Sequence, residues 1–135
     1  MDPAPTPPAE PPSSPMSDGE TPLRALGDAL AAFNRARDWE QFHTPKDLAM
    51  ALSVEAAEVL ELFLWRKEGD TPSAARLREE LGDVLITLVN LSRRVGVDLM
   101  AAAEQKMALN AQRYPADRAR GSAKKYDALA SEEPT

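Results

Sequence analysis

The sequence contains two acidic pairs at helical spacing, Glu55-Ala-Ala-Glu58 and Glu80-Leu-Gly-Asp83. Residues three positions apart on an α-helix lie about 60° apart around its axis, so the two carboxylates of a pair point the same way. Both pairs interrupt apolar segments, where four carboxylates repel one another unless protons, basic side chains or cations offset their charge. Oxygen ligands favour Mg²⁺ or Mn²⁺ over zinc. We therefore predict that Glu55, Glu58, Glu80 and Asp83 form a metal site.

Other side chains with binding chemistry follow the same periodicity. Trp65 shares a helix face with Glu58, and Thr87 and Asn90 continue the line that begins at Asp83. A third segment carries a basic and polar stripe at spacing i, i+4 and i+7, formed by Lys106, Asn110 and Arg113. Metals and cations offset phosphate charge, and aromatic surface stacks on a base. If these three faces converge, they predict a nucleotide site.

Four helices are expected to position these residues. Their ends are indicated by capping residues, by prolines in the first turn and by Gly96 as a stop. The predicted ranges are Thr21–Arg37, Thr44–Trp65, Thr71–Val95, and Asp98 to just before Pro115. The third helix is apolar nearly all round, which indicates burial on more than one side and, in so small a domain, a subunit interface. The predicted fold class is all-α, a four-helix bundle.

Composition divides the chain and limits its partners. Residues 1–21 are rich in proline and predict a disordered leader, 22–129 form the helical domain, and 130–135 form a tail. The net charge of −6 disfavours binding to nucleic acid or to an anionic membrane. The absence of cysteine fits a reducing compartment, and no apolar run is long enough to span a bilayer. These features favour a cytoplasmic location.

Five stretches occur in an order that resembles a known family. They are RDWEQFH at 37–43, EAAEVLELFLW at 55–65, EELGDVLI at 79–86, KMALNAQRYP at 106–115 and KKY at 124–126. The chain resembles the all-α nucleoside triphosphate pyrophosphohydrolases, the MazG-like group, and within it the dCTP pyrophosphatases. The resemblance implies hydrolysis between the α and β phosphates of a nucleoside triphosphate, which yields the monophosphate and pyrophosphate.

The resemblance also implies residue roles. Glu55, Glu58, Glu80 and Asp83 match the family's Mg²⁺ ligands, and Glu58 or Glu61 is the candidate to accept the proton of the attacking water. The substrate-binding candidates are Trp39 and Trp65 for the base, His43, Thr87 and Asn90 near base or sugar, and Lys106, Asn110, Arg113, Lys124 and Tyr126 for the phosphate side. Leu30 and Thr87 depart from the dCTP-specific pattern, which has His and Tyr at these positions. From the resemblance as a whole, the expected substrate is dCTP or a modified pyrimidine relative, in a role of nucleotide-pool sanitation. The expected assembly is a dimer or tetramer.

Alternatives remain at the level of the sequence. The same helices fit a non-catalytic module that binds metal or nucleotide and serves oligomerisation. A di-iron carboxylate bundle requires Glu-x-x-His pairs, and the sole histidine, His43, lacks that spacing. His43 also fits a structural hydrogen-bonding role, and Thr87 and Asn90 could satisfy one another inside the bundle.

Overall fold

A computed structural model describes residues 21–130 of the chain. Its four long helices are α1 at Pro22–Ala36, α2 at Pro45–Glu61, α3 at Ala74–Val95 and α4 at Leu99–Arg113. A 3₁₀ helix at Glu40–Phe42 precedes α2, and two short helices follow α4, namely α5 at Ala116–Ala119 and α6 at Tyr126–Ala130. Within 21–130 there is no strand, and the predicted all-α fold is confirmed. The predicted leader and tail, apart from Thr21 and Ala130, lie outside the described residues.

Side-chain caps determine where the long helices begin. Thr21, Thr44, Ser73 and Asp98 each accept a hydrogen bond from the backbone N–H three residues further on, at 3.0–3.3 Å. Three of these caps begin helices where the sequence predicts them. Helix α3 begins at Ala74 rather than at Thr71-Pro72, because Ser73 supplies the cap.

Helix α2 ends earlier than predicted. The backbone N–H groups of Leu62, Phe63 and Leu64 donate to carbonyls only three residues back, which is the tightening typical of a helix end. Trp65 then adopts a φ of +62°, which a right-handed helix cannot accommodate. The α2 helix therefore stops at Glu61, and Trp65 belongs to the connection to α3.

Packing centres on α3, which contacts α2 most extensively and α1 to a lesser degree. Few large apolar side chains are buried within 21–130, namely Leu30, Leu48, Val89 and Leu129, which are 2–8% exposed. Helix α4 has no buried residue. The single chain thus leaves much of its apolar surface uncovered. Among the described helices, none combines the length and hydropathy needed to cross a membrane.

Candidate functional site

The close packing of α2 on α3 brings the two acidic pairs together. Glu55 and Glu58 on α2 and Glu80 and Asp83 on α3 each offer one carboxylate oxygen, and these four atoms lie within 4.8 Å of one another. Glu55, Glu58 and Glu80 are half-buried, whereas Asp83 is exposed. The four carboxylates predicted from the sequence therefore form one cluster, which we call the carboxylate cluster.

Charge accumulates in this cluster. The pKa of the Glu58 carboxyl is raised above its ordinary value because it hydrogen-bonds to Glu55 and is repelled by that carboxylate, with partial desolvation adding to the effect. A hydrogen bond to Glu80 acts in the opposite direction, and the charge of Asp83 raises the pKa further. Glu58 thus holds a proton more tightly than an isolated carboxyl group does.

The neighbouring groups only partly offset this charge. Arg76 forms a salt bridge of 3.5 Å to Glu80, but 61% of the Arg76 side chain is exposed, so water screens the pair. The Oε2 atom of Glu55 is buried and has no hydrogen-bond partner among the described residues. A buried carboxylate oxygen without a donor is costly unless a cation completes its environment. The all-oxygen donor set and this orphaned atom fit a hard divalent cation.

Glu61 does not belong to the carboxylate cluster. It is the last residue of α2, one turn beyond Glu58, and its side chain is exposed. Of the two carboxylates predicted as candidate proton acceptors, the structure places only Glu58 among the other acidic groups.

A cavity of about 530 Å³ adjoins the carboxylate cluster. Glu55 is a member of the cluster and also lines the cavity. Leu30 and Phe33 from α1, Trp39 and Phe42 from the connection to α2, and Ile86 from α3 form much of its apolar wall. The polar residues that line it are Asn34, His43, Asp47, Glu55, Thr87 and Asn90. A largely apolar cleft with a few polar groups is typical of small-molecule sites.

The connection between α1 and α2 holds the aromatic part of this wall. The Trp39 backbone N–H donates to the Asn34 carbonyl at 3.0 Å, and the Trp39 ring meets the Phe33 ring edge-on at 5.7 Å between centroids. Asp38 turns the chain here with a φ of +53°, and its carboxylate accepts a hydrogen bond of 2.8 Å from Gln41. Trp39 is 46% exposed, and the Arg37 guanidinium carbon lies over its ring at 6.0 Å from the centroid.

An amide pair connects α1 to α3 at the cavity. The Nδ2 group of Asn34 donates to Oδ1 of Asn90 over 3.1 Å, and both residues line the cavity. Asn34 is 6% exposed and Thr87 is 8% exposed. The side-chain hydrogen-bond partner of Asn90 is therefore Asn34. A pairing of Asn90 with Thr87, the alternative that the sequence allows, does not occur.

Six other predicted substrate-binding residues do not line this cavity: Trp65, Lys106, Asn110, Arg113, Lys124 and Tyr126. Trp65 is 94% exposed. The Arg113 guanidinium lies over the Tyr126 ring, 4.7 Å from its centroid, and so occupies a separate aromatic contact beyond α4. The sequence predicts that three helix faces converge. Within the described residues the faces of α2 and α3 meet, whereas the basic and polar stripe of α4 does not reach the cavity.

Sequence reasoning missed Asn34 as a site residue. The sequence does contain a signal for this residue. Asn34 directly follows Phe33, which forms the apolar stripe of α1 together with Leu26 and Leu30. A buried amide in such a stripe requires a hydrogen-bond partner. The identity of that partner, on a helix 56 positions away, depends on tertiary structure.

Comparisons with known proteins agree with this architecture. The dCTP pyrophosphatase 1 of Homo sapiens is 48% identical over 117 residues, which cover 82% of this chain and 69% of the relative. The dCTP pyrophosphatase 1 of Rattus norvegicus is 49% identical over the same shares. A crystal structure of a pyrophosphatase from Archaeoglobus fulgidus superposes with a TM-score of 0.68 at 33% identity, and the match covers 75% of this chain and 99% of that one.

The profile of the MazG-like family matches residues 50–129, which include both acidic pairs and the whole of α3 and α4. That range is more than half of the 135 residues. The resemblance drawn from the sequence motifs is therefore confirmed: this chain belongs to the MazG-like family.

Proposed function

We propose that this chain is a nucleoside triphosphate pyrophosphohydrolase whose substrate is dCTP or a modified pyrimidine relative. The reaction would release the nucleoside monophosphate and pyrophosphate. One observation carries the proposal: the carboxylate cluster shares Glu55 with a cavity whose aromatic and amide groups suit a nucleobase. Similarity to dCTP pyrophosphatases over 82% of the chain supports the same reaction and substrate.

The carboxylate cluster is proposed to hold Mg²⁺, or Mn²⁺ in its place, through Glu55, Glu58, Glu80 and Asp83. When bound, such an ion offsets phosphate charge and lowers the pKa of a coordinated water. The buried Oε2 atom of Glu55, which has no hydrogen-bond partner within residues 21–130, supports this assignment because it marks a place where positive charge is needed.

The remaining roles belong to side chains around the cluster. Trp39 would stack on the base, and His43 and Thr87 would contact base or sugar, because all three line the cavity. Glu58 would take the proton of the attacking water, with Glu61 as the alternative. Lys106, Asn110, Arg113, Lys124 and Tyr126 are proposed on the phosphate side, together with Trp65 at the edge of the base site.

Those six residues lie away from the cavity of their own chain, which fits a site completed by self-association. Apolar side chains on the outside of α2 and α4 support this, since Leu60 is 68% exposed and Met107 is 71% exposed. We propose a homo-oligomer, either a dimer or a tetramer. We further propose a role in nucleotide-pool sanitation, in keeping with the proposed substrate, and a cytoplasmic location, in keeping with the cysteine-free composition.

The decisive experiment incubates the purified protein with Mg²⁺ and a panel of deoxynucleoside and ribonucleoside triphosphates. We expect pyrophosphate and monophosphate as products, with dCTP or a 5-modified dCTP turned over most efficiently. Inorganic phosphate with a diphosphate would indicate different chemistry, and no product at all would favour a binding module.

Glu58→Gln tests the site itself. We expect this variant to lose at least about 100-fold in kcat, because a cluster ligand and candidate base is removed, while its circular dichroism spectrum stays unchanged. Glu104→Gln, a change of the same type at an exposed residue of α4, serves as the control and should keep its activity. Retained turnover in Glu58→Gln would remove Glu58 from the site, and Glu61→Gln then tests the alternative base.

A further inference from the structure

The amide pair formed by Asn34 and Asn90 does not use its full hydrogen-bonding capacity. Each asparagine side chain offers two N–H donors and one carbonyl acceptor. The bond of 3.1 Å uses one N–H of Asn34 and the carbonyl of Asn90. The Asn34 carbonyl and the Asn90 amino group make no further hydrogen bond within residues 21–130, although both residues line the cavity. Within residues 21–130 the pair thus has one unused acceptor, Asn34 Oδ1, and one unused donor, the Asn90 amino group.

These groups are held firmly in place. Asn34 is 6% exposed and near the end of α1, and its backbone carbonyl accepts the N–H of Trp39 at 3.0 Å. The residue that provides the carbonyl acceptor therefore also anchors the aromatic ring proposed to stack on the base. Stacking fixes the plane of a base, whereas in-plane hydrogen bonds select its identity.

We propose that Asn34 and Asn90 select the base of the substrate by hydrogen bonding to the Watson–Crick edge of cytosine. Asn34 Oδ1 accepts a hydrogen bond from the exocyclic amino group at N4, and Asn90 Nδ2 donates to the ring nitrogen N3. This assignment rests on the proposed function, and it names the two specificity-determining residues of that site. Among the neighbouring cavity residues, Leu30 offers no hydrogen-bonding group and Thr87 offers a single hydroxyl.

Uracil and thymine present the opposite order of groups along this edge. Their O4 acceptor would face the Asn34 carbonyl, and their N3–H donor would face the Asn90 amino group. Two mismatched contacts in a partly buried site leave polar groups unpaired, which disfavours these bases strongly. The pair therefore predicts a preference for dCTP over dUTP and dTTP.

Asn90→Asp tests the proposal with minimal disturbance of packing. The carboxylate that this substitution introduces still accepts the hydrogen bond from Asn34 Nδ2, so the connection between α1 and α3 is retained, while the donor to N3 becomes an acceptor. We expect the ratio of kcat/KM for dCTP to that for dUTP to fall by about 10- to 100-fold, mainly through KM for dCTP. A ratio unchanged within about twofold, or an equal loss for both substrates, would overturn the assignment and leave the pair a structural connection.

Ser92→Ala provides the matched control. Ser92 is a buried polar residue of the same helix, and its hydroxyl donates to the Val89 carbonyl at 2.8 Å, but it does not line the cavity. This variant tests whether any loss of a buried hydrogen bond in α3 alters selectivity. We expect its dCTP to dUTP ratio to equal that of the unaltered protein.

A second measurement on the unaltered protein decides the matter if Asn90→Asp does not fold. The side-chain amide resonances of Asn34 and Asn90 are followed by ¹⁵N–¹H NMR during titration with dCMP and, separately, dUMP. We expect dCMP to shift the Asn90 amide resonance and dUMP to leave it nearly in place. An Asn90 resonance that saturating dCMP does not move would overturn the proposal. This readout needs no turnover, so it separates failure of the base assignment from failure of the proposed hydrolysis.

Discussion

At the residue scale, the carboxylate cluster determines what this site can bind. Four carboxylate oxygens within 4.8 Å of one another cannot all remain charged without a penalty, and the raised pKa of Glu58 expresses that penalty. Arg76, which pairs with Glu80 of the cluster, lies largely in solvent and offsets little of the charge. In a cluster of this kind, binding of a cation would release the protons that the carboxyl groups hold.

This penalty predicts how the stability of the metal-free protein varies with pH. A carboxyl whose pKa is raised in the folded state takes up a proton there before it does in the unfolded chain, so stability increases as pH falls through the raised value and decreases as pH rises. In the presence of a chelator, we expect the melting temperature to rise as the pH falls from neutral toward 4.5, the ordinary pKa of a glutamate carboxyl. Differential scanning calorimetry measures this effect.

Glu58→Gln identifies the group responsible for that pH dependence. Because glutamine carries no charge, the variant should melt at a higher temperature than the unaltered protein near neutral pH, and its melting temperature should vary less with pH. A variant with the same slope as the unaltered protein would show that other groups control the acid stability.

At the element scale, local sequence signals account for the helix boundaries that flank the site. Helix α3 carries Glu80, Asp83, Thr87 and Asn90 along its length, so its position along the axis determines which side chains face α1 and α2. It begins at the Ser73 cap and ends at Gly96, which adopts a φ of +72°. Glycine accepts this left-handed conformation without the steric cost that a Cβ atom brings.

Gly96→Ala should therefore destabilise the protein by about 1 kcal/mol, because alanine is strained at this φ although no atom lies within 4 Å of the added Cβ. Gly82→Ala is the matched control, since Gly82 lies inside α3 and its Cβ would also meet no atom within 4 Å. Alanine there should stabilise the helix by up to about 1 kcal/mol. Urea unfolding at a fixed protein concentration compares the two, and equal effects in both would contradict the conformational explanation.

At the scale of the whole molecule, the single chain has a small core for its length. Few large apolar side chains are buried within 21–130, while Met50, Val54, Leu60 and Leu64 along and beyond α2 each remain more than half exposed. Exposed apolar side chains of this kind are available for burial at an interface, and small domains often gain stability by self-association. The proposed homo-oligomer provides that burial.

Leu60→Glu tests whether this surface is a subunit interface. Leu60 is 68% exposed in the chain, so the substitution should leave the fold of one subunit intact while placing a charge where an apolar contact is proposed. By sedimentation velocity, we expect a dimer or tetramer for the unaltered protein and a shift toward the 14.7 kDa monomer for the variant. Ala32→Glu, an exposed position of α1, is the control that should keep the assembly. An unaltered protein that sediments as a monomer would contradict the proposed oligomer.

The sequence by itself determined the four long helices of this protein and the acidic pairs that two of them carry. Caps such as Thr44 and Asp98 act through backbone groups only three residues away, so local spacing is enough to predict them. The acidic pairs likewise depend on the period of one helix, and the ordered motifs around them identified the family. Local periodicity failed where a change of backbone conformation ended α2 before Trp65.

Only the tertiary structure decided which helices share a site. The approach of α2 to α3 joins four carboxylates, and the approach of α1 to α3 pairs Asn34 with Asn90 across 56 positions of sequence. Such contacts depend on the relative placement of whole helices, which side-chain packing sets and helical periodicity does not encode. For the same reason, the position of Lys106, Asn110 and Arg113 outside the cavity could not be read from their spacing, because a face at the correct period still needs a neighbouring helix to meet it.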